Sequence, residues 1–190
     1  MSGRLLICAT AALVASSLRP SAYAQAQPAA GALTRDGSHD MDFAQGNWRT
    51  DIVQIKNPFD PNSPVTHMHG TKKVTPIWDG KGWLEQIEGD GPGGHWEAAN
   101  VALYDPATHQ WNNYYADSAD GRLDSTPEVG EYRDGTVEFY SQQNVGGRVL
   151  LVRGVWKDIK PDSHEYDIAR SIDGGRSWHT SFIARMTRMK

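Results

Sequence analysis

The residues in this chain that could do chemistry are aromatic and ionisable side chains set within short apolar segments. Trp83, Trp96, Tyr115, Tyr140 and Trp156 are spread along the chain with Glu85, His95 and Arg153 among them. Aromatic walls with a few polar groups suit a pocket for an apolar or aromatic molecule. The same polar groups suit proton transfer: Arg153 holds an anionic group, and Glu85, His95, Tyr115 or Tyr140 serve as acid or base. Arg153 sits between Val152 and Gly154 in the most apolar segment, so it is the expected inward anchor. The alternative for each of these residues is plain core packing or an outward, solvated charge.

His67 and His69 are spaced to face one side of a strand and so could share a metal ion. A third ligand would come from Glu85, Glu88 or His95, but no spacing singles one out. The competing reading, a solvated strand start, is preferred, and no metal is expected. No organic cofactor is expected either. The chain has no Gly-x-Ser-x-Gly nucleophile elbow and no glycine loop that cradles phosphate ahead of a helix.

The elements that must position these residues read as strands. From His39 onward the hydrophobic period is two. Ten strands are expected, near 48–56, 66–78, 83–88, 95–104, 111–117, 122–132, 137–144, 148–157, 165–171 and 178–188. Turn residues punctuate them: Asp79-Gly80, Asp105-Pro106, Asp120-Gly121, Asp134-Gly135, Gly146-Gly147 and Asp173-Gly174. A helical turn fits only around 41–45. Short hairpin connections without a long crossover predict an all-β, antiparallel up-and-down barrel, with a β-sandwich as the alternative. A barrel of this strand count can enclose a cavity.

The segment Ser171-Ile-Asp-Gly-Gly-Arg-Ser-Trp178 is the sharpest turn signal, a hairpin whose Trp178 folds back over it. It also matches the aspartate-box turn of sialidase propellers. A propeller needs several copies in a longer chain, so one copy argues against that reading.

Residues 1–24 read as a signal peptide. Arg4 precedes the apolar run 5–18, and Ala22-Tyr-Ala24 offers the small residues a signal peptidase requires. The run is too short for a spanning helix, so no membrane association is expected after cleavage. A periplasmic or secreted protein is expected. Residues 25–38, rich in Ala, Pro, Gly and Gln, read as a flexible leader, and 39–190 as one domain. The single cysteine, Cys8, leaves with the signal, which excludes disulfides and thiolate chemistry from the mature chain. Loss of Arg4 and Arg19 takes the 19 basic residues to 17 against 23 acidic ones, a formal charge of −6. That balance gives no footprint for nucleic acid. Composition does not fix the oligomeric state.

Gly46-Asn-Trp48 on the first strand, with Arg185 and Arg188 on the last, resembles the closure pair of lipocalin-like (calycin) barrels. In that family the arginine stacks on the tryptophan and seals one end. More widely, residues 39–188 resemble a bacterial secreted family of unknown function with such barrels. The matching pieces are His39-Asp-Met-Asp-Phe43, Leu103-Tyr-Asp-Pro-Ala-Thr108 with Trp111, and Gly130-Glu-Tyr-Arg-Asp-Gly135. Arg153 with Trp156 and the 171–178 octet complete the set. The resemblance implies the fold and carries no function. The expected function is binding of a small hydrophobic or aromatic molecule in the cavity, by Trp83, Trp96, Tyr115, Tyr140, Arg153 and Trp156. The alternative is a cofactor-independent lyase, isomerase or decarboxylase acting in the same cavity.

Overall fold

The structure, a computed structural model, describes residues 35–190. The expected signal peptide and most of the expected leader lie outside the described residues. Among the described residues eleven strands form: β1 (Gly46–Ile55), β2 (Val65–Ile77), β3 (Gly82–Gly91), β4 (Gly94–Asp105), β5 (Gln110–Asp117) and β6 (Arg122–Leu123). The rest are β7 (Glu128–Arg133), β8 (Thr136–Val145), β9 (Arg148–Lys160), β10 (Ser163–Ser171) and β11 (His179–Arg188). Each long strand pairs antiparallel with its neighbours, and β1 pairs with β11 to close the sheet into a ten-stranded barrel. The two-residue β6 stands outside that count.

The expected strand over 122–132 is broken. β6 and β7 both hydrogen-bond the same side of β5, β6 at Ala116–Asp117 and β7 at Trp111–Asn113. Pro127 between them has no N–H for a ladder bond, which accounts for the interruption.

Alternation decides which residues meet inside. On β1, Trp48, Thr50 and Ile52 are buried while Asn47, Arg49 and Asp51 are exposed. On β3, Trp83, Glu85 and Ile87 are buried and Leu84, Gln86 and Glu88 are exposed. This is the pleat of a strand with one face in a core and one in water.

One end of the barrel is plugged. A short 3-10 turn at Asp42–Ala44, near where a helical turn was expected, lies across it, with Met41 and Ala44 buried. The Trp48 indole N–H donates to the Ala44 carbonyl (2.8 Å), and that of Trp111 donates to the Gly37 carbonyl (3.0 Å). Gly37 and Ser38, at the end of the expected leader, are buried against the barrel. The Arg188 guanidinium lies 4.0 Å from the centre of the Trp48 ring, as the family resemblance implied. Gly46, at φ +113°, brings the chain so close to Arg188 that a Cβ there would lie 2.7 Å from Nη1. Arg185 points outward and pairs with Glu165 at 2.7 Å.

The opposite end carries the β1–β2, β3–β4, β8–β9 and β10–β11 connections. In the last of these, the Asp173 carboxylate accepts bonds from the Ser177 N–H (3.0 Å) and from the hydroxyls of Ser171 (2.8 Å) and Ser177 (2.7 Å). Those donors hold its pKa far below the usual carboxylate range.

Candidate functional site

Between the plug and the loops lies an internal cavity of about 990 Å³, the upper part of the range for small-molecule sites. Trp83, Trp96, Tyr115, Phe139 and Trp156 wall it, and it reaches the loop end at Pro58, Phe59 and Gly93. The strand registers explain the grouping. Trp83 pairs with Ala102, and Ala102 with Asn113, while Glu85 pairs with Asn100, and Asn100 with Tyr115. Two inward rows therefore cross β3, β4 and β5 side by side, and the small Ala102 leaves room between the larger side chains.

Polar groups lie deep in this cavity. The Asn100 amide donates to Glu85 Oε1 (2.9 Å), and the Asn113 amide donates to Asn100 Oδ1 (3.3 Å). On the far side of Glu85, Lys72 Nζ stands 3.5 Å from Oε2 and 4.1 Å from the centre of the Trp156 ring. Lys72 also donates to His164 Nε2 at 3.3 Å. Lys72 is 2% exposed. Burial lowers its pKa against the pull of Glu85. His164 is driven far down by burial, then by Lys72 and Arg188, so its imidazole is neutral. Burial raises the pKa of Glu128, and that of Tyr166 well above its ordinary value, with Glu128 adding to the latter effect.

Several buried polar atoms have no hydrogen-bond partner among the described residues. Three of them, Trp83 Nε1, Glu85 Oε2 and Asn113 Oδ1, belong to cavity-lining residues. A buried donor or acceptor left unsatisfied costs about 1–3 kcal/mol, so a polar guest has something to gain here.

Of the residues expected from sequence, Trp83, Glu85, His95, Trp96, Tyr115 and Trp156 all line the cavity. The Trp96 indole and the Tyr115 hydroxyl both donate to Asp117 Oδ2, each at 3.0 Å. Burial, with Asp117 close by, pushes the Tyr115 phenol well up.

Two expectations are corrected. Arg153 does not anchor the interior: it lies on the outer face of β9 under Trp178, 4.6 Å from the ring centre. Tyr140 is exposed on the outer face of β8 and donates to Glu138. Both follow from the pleat, because Phe139, Val152 and Gly154 take the inward positions beside them. His95 lines the cavity only at its mouth, exposed, with its ring against Asp90 (2.9 Å) and Glu97 (3.7 Å).

His67 and His69 are exposed on the outer face of β2, and His69 is bonded to Asp51 at 2.7 Å. Of the third ligands considered for them, Glu88 and His95 instead approach Glu97, their ligand atoms all within 4.8 Å.

Sequence reasoning missed Lys72, His164 and Glu128. A signal was present for the lysine. Lys72 and Lys73 are consecutive on a strand whose faces alternate, so one of them had to turn inward.

No protein-family model matches the chain, and no curated protein matches it. Among solved structures it is similar to an S-type phycobiliprotein lyase, CPES, from Guillardia theta. The TM-score is 0.55 and the identity 11%, over 84% of this chain and 96% of that one. It is also similar to a de novo designed fluorescence-activating β-barrel, with a TM-score of 0.42 and 12% identity, over 82% of this chain and 99% of the design. Together with the closure of β1 on β11, the first of these likenesses establishes a lipocalin-like, calycin-type antiparallel barrel.

Proposed function

We propose that this barrel binds a small molecule with an aromatic or hydrophobic body and a polar end. The observation that carries the reading is the cavity of about 990 Å³, aromatic at its walls, with unpartnered polar atoms on its lining residues. An apolar body gains about 25 cal/mol per Å² of surface removed from water against Trp83, Phe139 and Trp156. The polar end would meet Trp83 Nε1 as donor and Glu85 Oε2 or Asn113 Oδ1 as acceptors. Those atoms select for orientation more than for affinity.

Export is part of the proposal. Arg4, the apolar run 5–18 and Ala22-Tyr-Ala24 support cleavage after Ala24 and a periplasmic or secreted mature protein. The likeness of the motifs at 39–48, 103–111 and 171–178 to those of exported bacterial barrels supports the same reading.

A second reading, catalysis without an organic cofactor, is favoured by one observation. Lys72 stands within reach of both Glu85 and His164, and all three are buried inside the barrel.

The test is native mass spectrometry of the protein from its own source, followed by titration of the emptied protein with naphthylmethanol, read by tryptophan fluorescence. A retained small molecule, or saturable quenching, is expected. The bare polypeptide mass together with no saturable binding across a panel of aromatic compounds would overturn the reading.

A further inference from the structure

We propose that Lys72 is an imine-forming residue, whose Nζ condenses reversibly with the carbonyl group of an aromatic aldehyde held in the cavity. The inference rests on the binding reading above and names the class of ligand that site would take.

Four observations carry it. First, Lys72 is inside. The alternation of β2 puts it on the face of Met68 and Val74, and it lines the cavity, whereas Lys73 is exposed and Lys56 lies at the loop end. A lysine is seldom fully buried, and a desolvated one in an apolar pocket is an activated amine.

Second, its ion pair is loose. The 3.5 Å separation from Glu85 exceeds the usual 2.7–2.9 Å of a charge-assisted bond, and Glu85 Oε2 has no hydrogen-bond partner. A tight structural ion pair would leave neither atom free to react.

Third, burial lowers the pKa of Lys72, which raises the share of neutral amine that carries the lone pair. His164, itself neutral, accepts one Nζ hydrogen through Nε2 and so fixes the direction of the amine.

Fourth, the acid–base partner an imine needs is already present. In the first step the Nζ lone pair attacks the carbonyl carbon, and the C=O π pair moves to oxygen, giving a carbinolamine. The two Nζ protons pass to that oxygen, with Glu85 Oε2 as the relay, and the C–O bond breaks. The products are the imine and one water, with no change of oxidation state. Trp156, whose ring lies 4.1 Å from Nζ, screens the site from solvent that would reverse the step.

The experiment compares naphthaldehyde with naphthylmethanol, which has nearly the same shape but no carbonyl. The full chain is incubated with the aldehyde and sodium cyanoborohydride, then weighed intact and mapped by peptide. Reductive trapping adds the mass of the aldehyde less one oxygen. Lys72→Met alone strands Glu85 inside the barrel, so the control is Lys72→Met with Glu85→Leu, checked for fold by circular dichroism. It keeps the surface lysines and the chain's amino terminus as background.

An adduct mapped to Lys72, forming well ahead of that background, supports the proposal. Glu85→Gln should then slow trapping roughly a hundredfold, the lower end of what a positioned proton relay contributes, and equal rates would count against it. Saturable binding of the alcohol with no aldehyde adduct above the control would overturn the proposal and leave the binding reading standing. If neither compound binds, the binding reading fails and the proposal fails with it.

Discussion

The guanidinium of Arg188 lies 4.0 Å over the ring of Trp48, so the last strand is fastened to the first across the seam that closes the barrel. The same side chain donates to the carbonyls of Pro161 (2.8 Å), Gln45 (2.9 Å) and Phe43 (3.3 Å). It thus ties β11, the β9–β10 turn and the N-terminal plug to one planar group. Five short donors in a fixed fork allow this, which a lysine's single ammonium does not.

Arg188→Ala should therefore destabilise the fold by about 3 kcal/mol, from a lost cation–π contact and several unsatisfied carbonyls. Arg188→Lys should recover less than half of the loss. Urea unfolding followed by circular dichroism measures both.

Gly154 faces inward where Tyr166 crosses it, and a Cβ there would lie 2.3 Å from the phenol oxygen. Gly154→Ala should cost about 1–3 kcal/mol by overpacking. Most of the clash is with the hydroxyl, so the double variant with Tyr166→Phe should be more stable than the two single effects predict. A double-mutant cycle on thermal melts reads the coupling.

His164 is held neutral in the folded protein, with its pKa far below the ordinary 6.5. Below that value the unfolded chain takes up a proton that the native site, facing Lys72 and Arg188, refuses. Stability should thus be flat in this respect above about pH 6.5 and fall by up to about 1.4 kcal/mol per pH unit as the pH drops below it. His164→Leu should remove that slope between about pH 5 and 6.5, before most carboxylates titrate. Chemical denaturation at several pH values tests the sign.

Lys72 and Glu85 form a buried pair, so removing one partner should be worse than removing both. Lys72→Met should cost about 3–5 kcal/mol, and Lys72→Met with Glu85→Leu should regain most of it. Equal stability of the single and double variants would show that Glu85 has another counter-charge.

The wall residues and the outer residues should separate cleanly in binding. Trp83→Phe removes an unpartnered buried N–H, so stability should hold while naphthylmethanol binds roughly tenfold more weakly, about one hydrogen bond's worth. Arg153→Ala and Tyr140→Phe should leave that affinity unchanged, and Arg153→Ala should cost about 0.5–1 kcal/mol through Trp178. Fluorescence titration and thermal melts distinguish the two sets.

Much of the fold was legible because turn chemistry is local. Asp79-Gly80, Asp134-Gly135 and Asp173-Gly174 mark reversals whatever surrounds them, and the strands between them need only period two. Which face of a strand turns inward is decided elsewhere. On β9 both faces are rich in apolar residues, because the 171–178 turn folds over the outer one, bringing Gly175 within reach of Leu151. With Val149, Leu151 and Val155 on that face, nothing local marked Arg153 as outward. Tyr140 and Phe139 are adjacent aromatics, and only the pairing with β9 assigns them to opposite sides. Lys72 was hidden for the opposite reason: a lysine pair reads as solvated until a barrel closes around it.

The plug across one end makes the cavity a well. A guest arriving from the loop end must travel head first past Trp96 and Phe59 toward Glu85 and Lys72, and it leaves in the reverse order. Its polar end is stripped of water before its apolar body has found any wall. The slow part of capture should thus scale with the hydration of the head group, and the slow part of escape with the size of the tail.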